Sequence, residues 1–260
     1  MPDIIFNRTK IVATIGPASN SKEVIRDLIL AGTDIFRLNF SHGEHSLHQQ
    51  VIDTIRALNK ELGTFVSILV DLQGPKIRIE EMQEGVVLAD GQEFVLTTRH
   101  LIGDSTIAST SYKELVQDVK PGDTILIDDG NIELQVKEVA GEQVITRVIH
   151  GGPLTSRKGM NLPNTRVSAK SITDKDAKDL AFALENDVDW VALSFVRSEK
   201  DVQELKELIA RSDREVRVVA KIEKPEALEH INDIIEEADA VMVARGDLGV
   251  EIDMEEVPVV

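Results

Sequence analysis

Lys221 and Glu223 stand two residues apart where the apolar run Val216–Ile222 gives out. In a strand that spacing points an ammonium and a carboxylate to the same side. Charges buried there are costly unless they are paired, bound to a metal or engaged by a ligand. The two are therefore either a structural ion pair or part of a charged site. A second carboxylate, Asp247, follows the next apolar run in Arg245-Gly246-Asp247-Leu248-Gly249. If neighbouring strands bring Glu223 and Asp247 together, a cation is needed between them. With only two protein oxygens, a Mg²⁺ that keeps waters and takes substrate oxygens fits best. Gly246 allows close approach of backbone N–H groups to an anion. Arg37 and Arg78 can each fork onto phosphate oxygens, or sit in ordinary surface salt bridges. His42, beside a turn, carries little weight alone. The Arg245-Gly246-Asp247 triplet also matches an adhesion tripeptide, a reading its position at a strand end disfavours.

These residues must be held by something, and the sequence supplies a strand-then-helix rhythm. Lys10–Thr14, Ile35–Asn39 and Ser67–Asp71 read as strands, with helices at Ser21–Ala31 and Leu47–Leu62 between them. The rhythm resumes with a helix at Asp174–Glu185 capped by Thr173, then strands at Trp190–Ser194, Val216–Ile222 and Ala240–Ala244. Helices around Lys200–Arg211 and Glu226–Glu237 fill those gaps. Short β-branched runs bounded by Gly, Pro or Asp are what buried parallel strands require. Polar residues collect where the second, third, fifth and sixth runs end, the place where parallel β/α folds build their sites. Six such units fit a TIM barrel or a doubly wound sheet equally well on periodicity.

Between the third strand and the Asp174 helix the texture changes. Glu93–Thr97, Thr124–Ile127, Ile132–Val139 and Gln143–Val148 read as strands joined by Asp90-Gly91, Pro121-Gly122-Asp123, Asp129-Gly130-Asn131 and Gly141-Glu142 turns. This predicts a small all-β insertion acting as a lid.

Composition bounds the function from outside. The 260 residues are 42% hydrophobic and 29% charged, with a net charge of −17 and no cysteine. So acidic a chain is not a general nucleic-acid binder. Arg and Lys focused in a cleft can still hold an anionic small molecule. Without cysteine there is neither a disulfide framework nor a thiolate metal site. Apolar runs are strand-sized, which argues against a membrane protein. The Met1-Pro2-Asp3-Ile4 start lacks a secretory pattern, so cytoplasm is expected and the Asn7-Arg8-Thr9 sequon reads as chance.

Four segments together resemble the pyruvate kinase family: Arg8–Ser19, Arg37–Gly43, Lys158-Gly159-Met160-Asn161-Leu162-Pro163 and Met242–Gly249. The resemblance runs from about Thr9 to the last residue, in the family's order. It implies an α/β fold of TIM (β/α)8 type, incomplete here at about six of eight units. Residues 1–78 and 170–260 would form the barrel and 79–169 the β lid. The seventh strand, with a Thr implicated in proton delivery, the eighth strand and a C-terminal regulatory domain would lie outside this chain. By resemblance the reaction is glycolytic phosphoryl transfer from phosphoenolpyruvate to ADP, giving pyruvate and ATP. Arg37 would contact the transferring phosphate, and Lys221 would stabilise the phosphoryl group and developing enolate. Glu223 and Asp247 would hold Mg²⁺ or Mn²⁺, and backbone amides of Gly246 and Asp247 the substrate carboxylate. Asn39, His42, Arg78 and Lys158 match nucleotide-contacting positions, Lys158 at the return of a lid that closes and excludes water. The full-length protein would be a homotetramer. Two alternatives stay open: a non-catalytic truncated relative, or another metal-dependent phosphoenolpyruvate or pyruvate barrel enzyme.

One departure within the family is informative. Many members need K⁺, held by groups matching Asn39, Ser41, Asp71 and the Leu72 carbonyl. Those members carry Glu after the Gly-Pro that follows the third strand, and Thr-Lys in place of Leu72-Gln73. Here the Gly-Pro is followed by Lys76. The combination resembles the K⁺-independent branch, with Lys76 as a tethered substitute for the ion. K⁺ is then not expected as a cofactor.

Overall fold

The computed structural model describes residues 8–163 and 165–259; the Met1-Pro2-Asp3-Ile4 start, Asn7 and Val260 lie outside them. The chain opens with β1 (Val12–Ile15), α1 (Lys22–Leu30), β2 (Ile35–Asn39), α2 (His45–Leu62) and β3 (Ser67–Asp71). Eight strands and a short helix follow: β4 (Val87–Leu88), β5 (Glu93–Thr97), β6 (Ile107–Ser109), α3 (Leu115–Asp118), β7 (Thr124–Ile127), β8 (Ile132–Ala140), β9 (Gln143–His150), β10 (Gly152–Pro153) and β11 (Met160–Asn161). The chain then returns to the first rhythm through α4 (Asp174–Glu185), β12 (Trp190–Leu193), α5 (Glu199–Ala210) and β13 (Arg217–Ile222). It continues with α6 (Pro225–Glu229), α7 (Ile231–Glu237), β14 (Ala240–Val243) and α8 (Arg245–Glu251). Two compact units result. The first is Met1–Gly74, Ser171–Ile222 and Glu229–Met242; the second is Pro75–Lys170, Glu223–Leu228 and Val243–Val260.

The first unit answers the question that periodicity left open. Its sheet runs β1-β2-β3-β12-β13-β14, in strict chain order, with parallel pairing from β1 through β13. A doubly wound sheet reverses its order at a switch point, whereas a barrel adds each strand beside the last. The order is that of an incomplete barrel. The sequence also positions the helices. α2 turns Val51, Ile52, Ile55 and Leu58 inward, the spacing of one helical face. It stops at Gly63, whose φ of 68° is the left-handed conformation favouring glycine. α4 begins in a capping box, with the Thr173 hydroxyl on the Asp176 amide and the Asp176 carboxylate on the Thr173 amide. The other oxygen of Asp176 accepts from the Gly74 N–H at 3.0 Å. Gly74 has a φ of 67°, and a Cβ there would stand 2.9 Å from the Phe195 ring. Only glycine fits where the chain leaves β3.

The expected single helix over Glu226–Glu237 is two helices. The break falls at His230, whose φ of −111° and ψ of 18° are not helical.

The second unit is built differently. Its six-stranded sheet runs β11-β7-β8-β9-β5-β6, antiparallel except for β5 with β6, and β10 pairs with β4. β8 and β9 form a long hairpin around Gly141-Glu142. Phe94, Leu96, Ile125, Leu134, Val144 and Val148 lie in its core, all fully buried. Each such side chain contributes about 1.5–3 kcal/mol by leaving water.

Candidate active site

Along the parallel strands of the first unit, residues two apart share a face. Leu69 on β3, Ala192 on β12 and Val219 on β13 form a buried apolar layer, with Ile35 of β2 packed against it. Two residues further along stand Asp71, Lys221 and Arg37 on their strands and Ser194 one residue past the end of β12. The change from apolar to charged occurs across one layer, at the carboxyl ends of the strands.

Asp71 is the hub of that layer and is only 2% exposed. Its Oδ2 accepts from Arg37 Nε at 2.7 Å and lies 2.5 Å from Nη2. Its Oδ1 lies 3.2 Å from the Lys221 ammonium. Lys221 also donates to Ser194 Oγ at 2.8 Å, and Ser194 donates onward to the Leu72 carbonyl at 2.8 Å. The third guanidinium nitrogen of Arg37, Nη1, donates to Thr14 Oγ1 at 2.9 Å. Two cations thus flank one carboxylate in this layer. Arg37 keeps about a quarter of its side chain exposed. Such a layer is suited to a multiply charged anion.

A mostly apolar cavity of about 370 Å³ opens beside it, bounded by Thr14–Pro17, Asn39, His42, Leu47 and Val51. Its size falls in the range of small-molecule sites, whose walls are apolar with a few fixed polar groups. Asn39 Oδ1 accepts from the Ser41 N–H at 3.0 Å, so the turn after β2 closes on itself. His48 braces the same turn from α2. It stacks on Phe40 with ring centroids 4.1 Å apart, and its Nε2 lies 2.9 Å from the His42 carbonyl oxygen. A carbonyl only accepts, so Nε2 carries the proton. Burial lowers the His48 pKa below the usual histidine value, partly offset by that bond.

The remaining expected site residues belong to the second unit. Arg78 Nη1 donates to the Arg157 carbonyl at 3.1 Å, and Arg78 bridges Gly159 on the returning segment. Lys158 pairs with Asp128 at 2.7 Å, both partly exposed. Lys76 is half-buried, its Cε 3.7 Å from where a Cβ on Gly159 would stand. Glu223 is 1% exposed. Asp247 lies in the first turn of α8, and the space above Gly246 is open to at least 4 Å. Both are carboxylates, the hard-oxygen type of donor that suits Mg²⁺ or Mn²⁺.

Sequence reasoning overlooked Thr14 and Ser194. Both end apolar strands, the signal that singled out Arg37 and Asp71, but one hydroxyl reads too weakly to stand out. The cavity walls Pro17, Leu47 and Val51 left no signal, because apolar residues near a turn look like core.

The family model for the pyruvate kinase barrel domain matches residues 6–260. The chain belongs to the pyruvate kinase family. It is 52% identical over 257 residues to pyruvate kinase 2 of Synechocystis, covering 97% of this chain and 44% of that protein. It is 44% identical over 258 residues to the pyruvate kinase of Clostridium perfringens, covering 98% and 54%. The crystal structure of a pyruvate kinase from Cryptosporidium parvum superposes with a TM-score of 0.91 at 37% identity, over 96% of this chain and 53% of that one. The chain spans about half the length of the curated relatives it matches. No helix among the described residues is long and apolar enough to cross a membrane.

Proposed function

We propose that the full-length protein is a cytoplasmic, homotetrameric pyruvate kinase that moves the phosphoryl group of phosphoenolpyruvate to ADP. The observation that carries this reading is a shared wall. Thr14 accepts from the Arg37 guanidinium and also lines the neighbouring cavity. A phosphate held by Arg37 and Lys221 therefore borders a space sized for a nucleotide base or sugar, with Asn39 and His42 at its rim. Arg78 and Lys158 supply further positive charge to the nucleotide phosphates.

In the reaction the bond from phosphorus to the enol oxygen breaks and one to a terminal ADP oxygen forms. The enolate left behind takes a proton at carbon to give pyruvate. Such transfers depend on positioning and charge neutralisation more than on covalent catalysis. Arg37 orients the phosphoryl oxygens. Lys221, held by Asp71 and Ser194, offers its ammonium to the group in flight and to the enolate oxygen. Glu223 and Asp247 would hold the divalent ion, which when bound would neutralise substrate oxygens, while the Gly246 and Asp247 amides orient the substrate carboxylate.

K⁺ is not required in this reading. Asp71 already has two cationic partners, the Leu72 carbonyl and the Asn39 amide oxygen already accept hydrogen bonds, and Lys76 adds a tethered charge.

The test is Mg²⁺-dependent formation of ATP from phosphoenolpyruvate and ADP by the full-length protein, with Lys221→Met beside it. The variant is expected to lose about 10²–10³ in turnover, with a smaller change in phosphoenolpyruvate binding. No ATP formation by the parent refutes the activity, and a variant within tenfold of the parent makes Lys221 structural.

A further inference from the structure

Within the second unit lies a buried polar cluster that the proposed reaction leaves unused. The Lys224 ammonium meets Glu251 Oε1 at 2.6 Å, and both side chains are almost wholly buried. Asn161 Nδ2 donates to the same oxygen at 2.8 Å. The other oxygen, Glu251 Oε2, is buried without a hydrogen-bond partner.

As a means of holding segments together this is a poor choice. Burying each ion costs several kcal/mol, and a well-packed apolar pair of the same volume is often as stable or more so. An orphaned acceptor adds a further cost. The placement suggests another role. Lys224 is the residue after Glu223, and Glu251 lies four residues beyond Asp247 on α8, so the two carboxylates share a helix face. Asn161, on β11, follows Lys158 by three residues. The cluster thus joins the turn carrying one expected metal ligand, the helix carrying the other, and the strand returning from the β insertion.

We propose that Lys224, Glu251 and Asn161 act as a positioning clamp that sets the separation and orientation of Glu223 and Asp247 for a divalent ion. The clamp rests on the reading that those two carboxylates hold the metal. Unlike an apolar plug, a hydrogen-bonded ion pair accepts one geometry only, because small rotations break its bonds. Groups that orient metal ligands in this way typically govern affinity by 10- to 100-fold.

The experiment measures Mn²⁺ affinity of the full-length protein by paramagnetic resonance, with thermal unfolding in parallel. The Lys224→Met/Glu251→Leu double variant replaces the ion pair by apolar groups and avoids an unpaired buried charge. It is expected to keep the parent's unfolding midpoint within a few degrees and to bind Mn²⁺ about tenfold more weakly. Parent-like affinity would overturn the clamp. Should the double variant fail to fold, Asn161→Leu removes one donor. A severalfold loss of affinity at unchanged midpoint supports the clamp, and unchanged affinity refutes it. Glu223→Gln separates this inference from its premise. If it leaves Mn²⁺ binding intact, the metal reading and the clamp fall together. If it abolishes binding while the clamp variants do not, only the clamp falls.

Discussion

The ends of the parallel strands and the turns of the antiparallel sheet carry charge in opposite ways. In the parallel-sheet unit, Arg37, Asp71, Ser194 and Lys221 interlock in one buried layer, each touching at least one other. In the antiparallel unit, Arg78 and Lys158 reach partners on turns and remain partly exposed. The difference follows from strand geometry. Parallel strands in chain order all present their carboxyl ends on one side, so four separate sequence segments converge. Hairpins return after a few residues, so their charged groups sit at tips and are screened by water. A change in the buried layer should therefore spread to every member, and a change on the hairpins should stay local.

The largest expected effect is that of Asp71→Ala. It removes a buried carboxylate from between the Arg37 and Lys221 cations, and such losses cost about 3–5 kcal/mol. Chemical denaturation should show that drop together with near-complete loss of turnover. A drop under about 1 kcal/mol, the range of exposed pairs, would mean that the layer is wet and the contrast with the hairpins false.

Lys76→Glu tests the charge supplied just beyond β3. The full-length parent should work in buffer free of K⁺ and Na⁺. The variant should lose about tenfold or more, on the scale of a misplaced stabilising charge, and regain part of it on adding K⁺. A parent almost inactive without K⁺ at constant ionic strength would return Asn39, Ser41, Asp71 and the Leu72 carbonyl to the role of an ion site.

On the hairpins, Lys158→Met should change stability by less than about 1 kcal/mol, since Lys158 and Asp128 are both partly in water. It should raise the KM for ADP severalfold while leaving that for phosphoenolpyruvate alone. A large stability loss would erase the distinction between the two units.

The smallest effects are in pH, and they separate the units by sign. His48 in the parallel unit has a lowered pKa, chiefly through burial. Its contribution is full above the ordinary histidine value and is lost as pH falls through the folded one. Tyr112 in the other unit is raised to about 12 by burial and by its bond to Asp118. Its contribution is full below about 10, the free tyrosine value, and is lost as pH rises towards 12. His48→Phe should flatten the acid limb of a stability–pH curve and Tyr112→Phe the alkaline limb. Either variant altering the opposite limb would refute the assignment.

Much of this was legible in the sequence because short apolar runs bounded by turn residues announce strands. Ile35–Asn39, Ser67–Asp71, Glu93–Thr97 and Thr124–Ile127 are strands with the bounds that their apolar runs predict. Short pieces were not legible. β4, β6, β10 and β11 have two or three residues each, too few for a period to register. Their pairing is decided by the neighbouring chain. Glu223 falls just past the end of β13, since Ile222 is the last residue of the strand. Spacing reveals which way a side chain points only while the strand lasts. Asp71 was readable as a strand-end carboxylate, but its place between two cations depended on a register that brings Asn39 opposite it. Such long-range pairing is invisible to local pattern.

The aromatic inventory gives these units separate optical signatures. The chain has one tryptophan and one tyrosine. Trp190 begins β12 in the parallel sheet, under the guanidinium of Arg217, and Tyr112 is buried in the antiparallel core. Excitation at the red edge of the absorption band selects the indole alone, and ultraviolet difference absorbance follows the phenol. Without labels or added chromophores, one sample can therefore report the melting of each unit independently. Coincident traces would mark a single cooperative transition, and staggered traces would show which half of the molecule yields first.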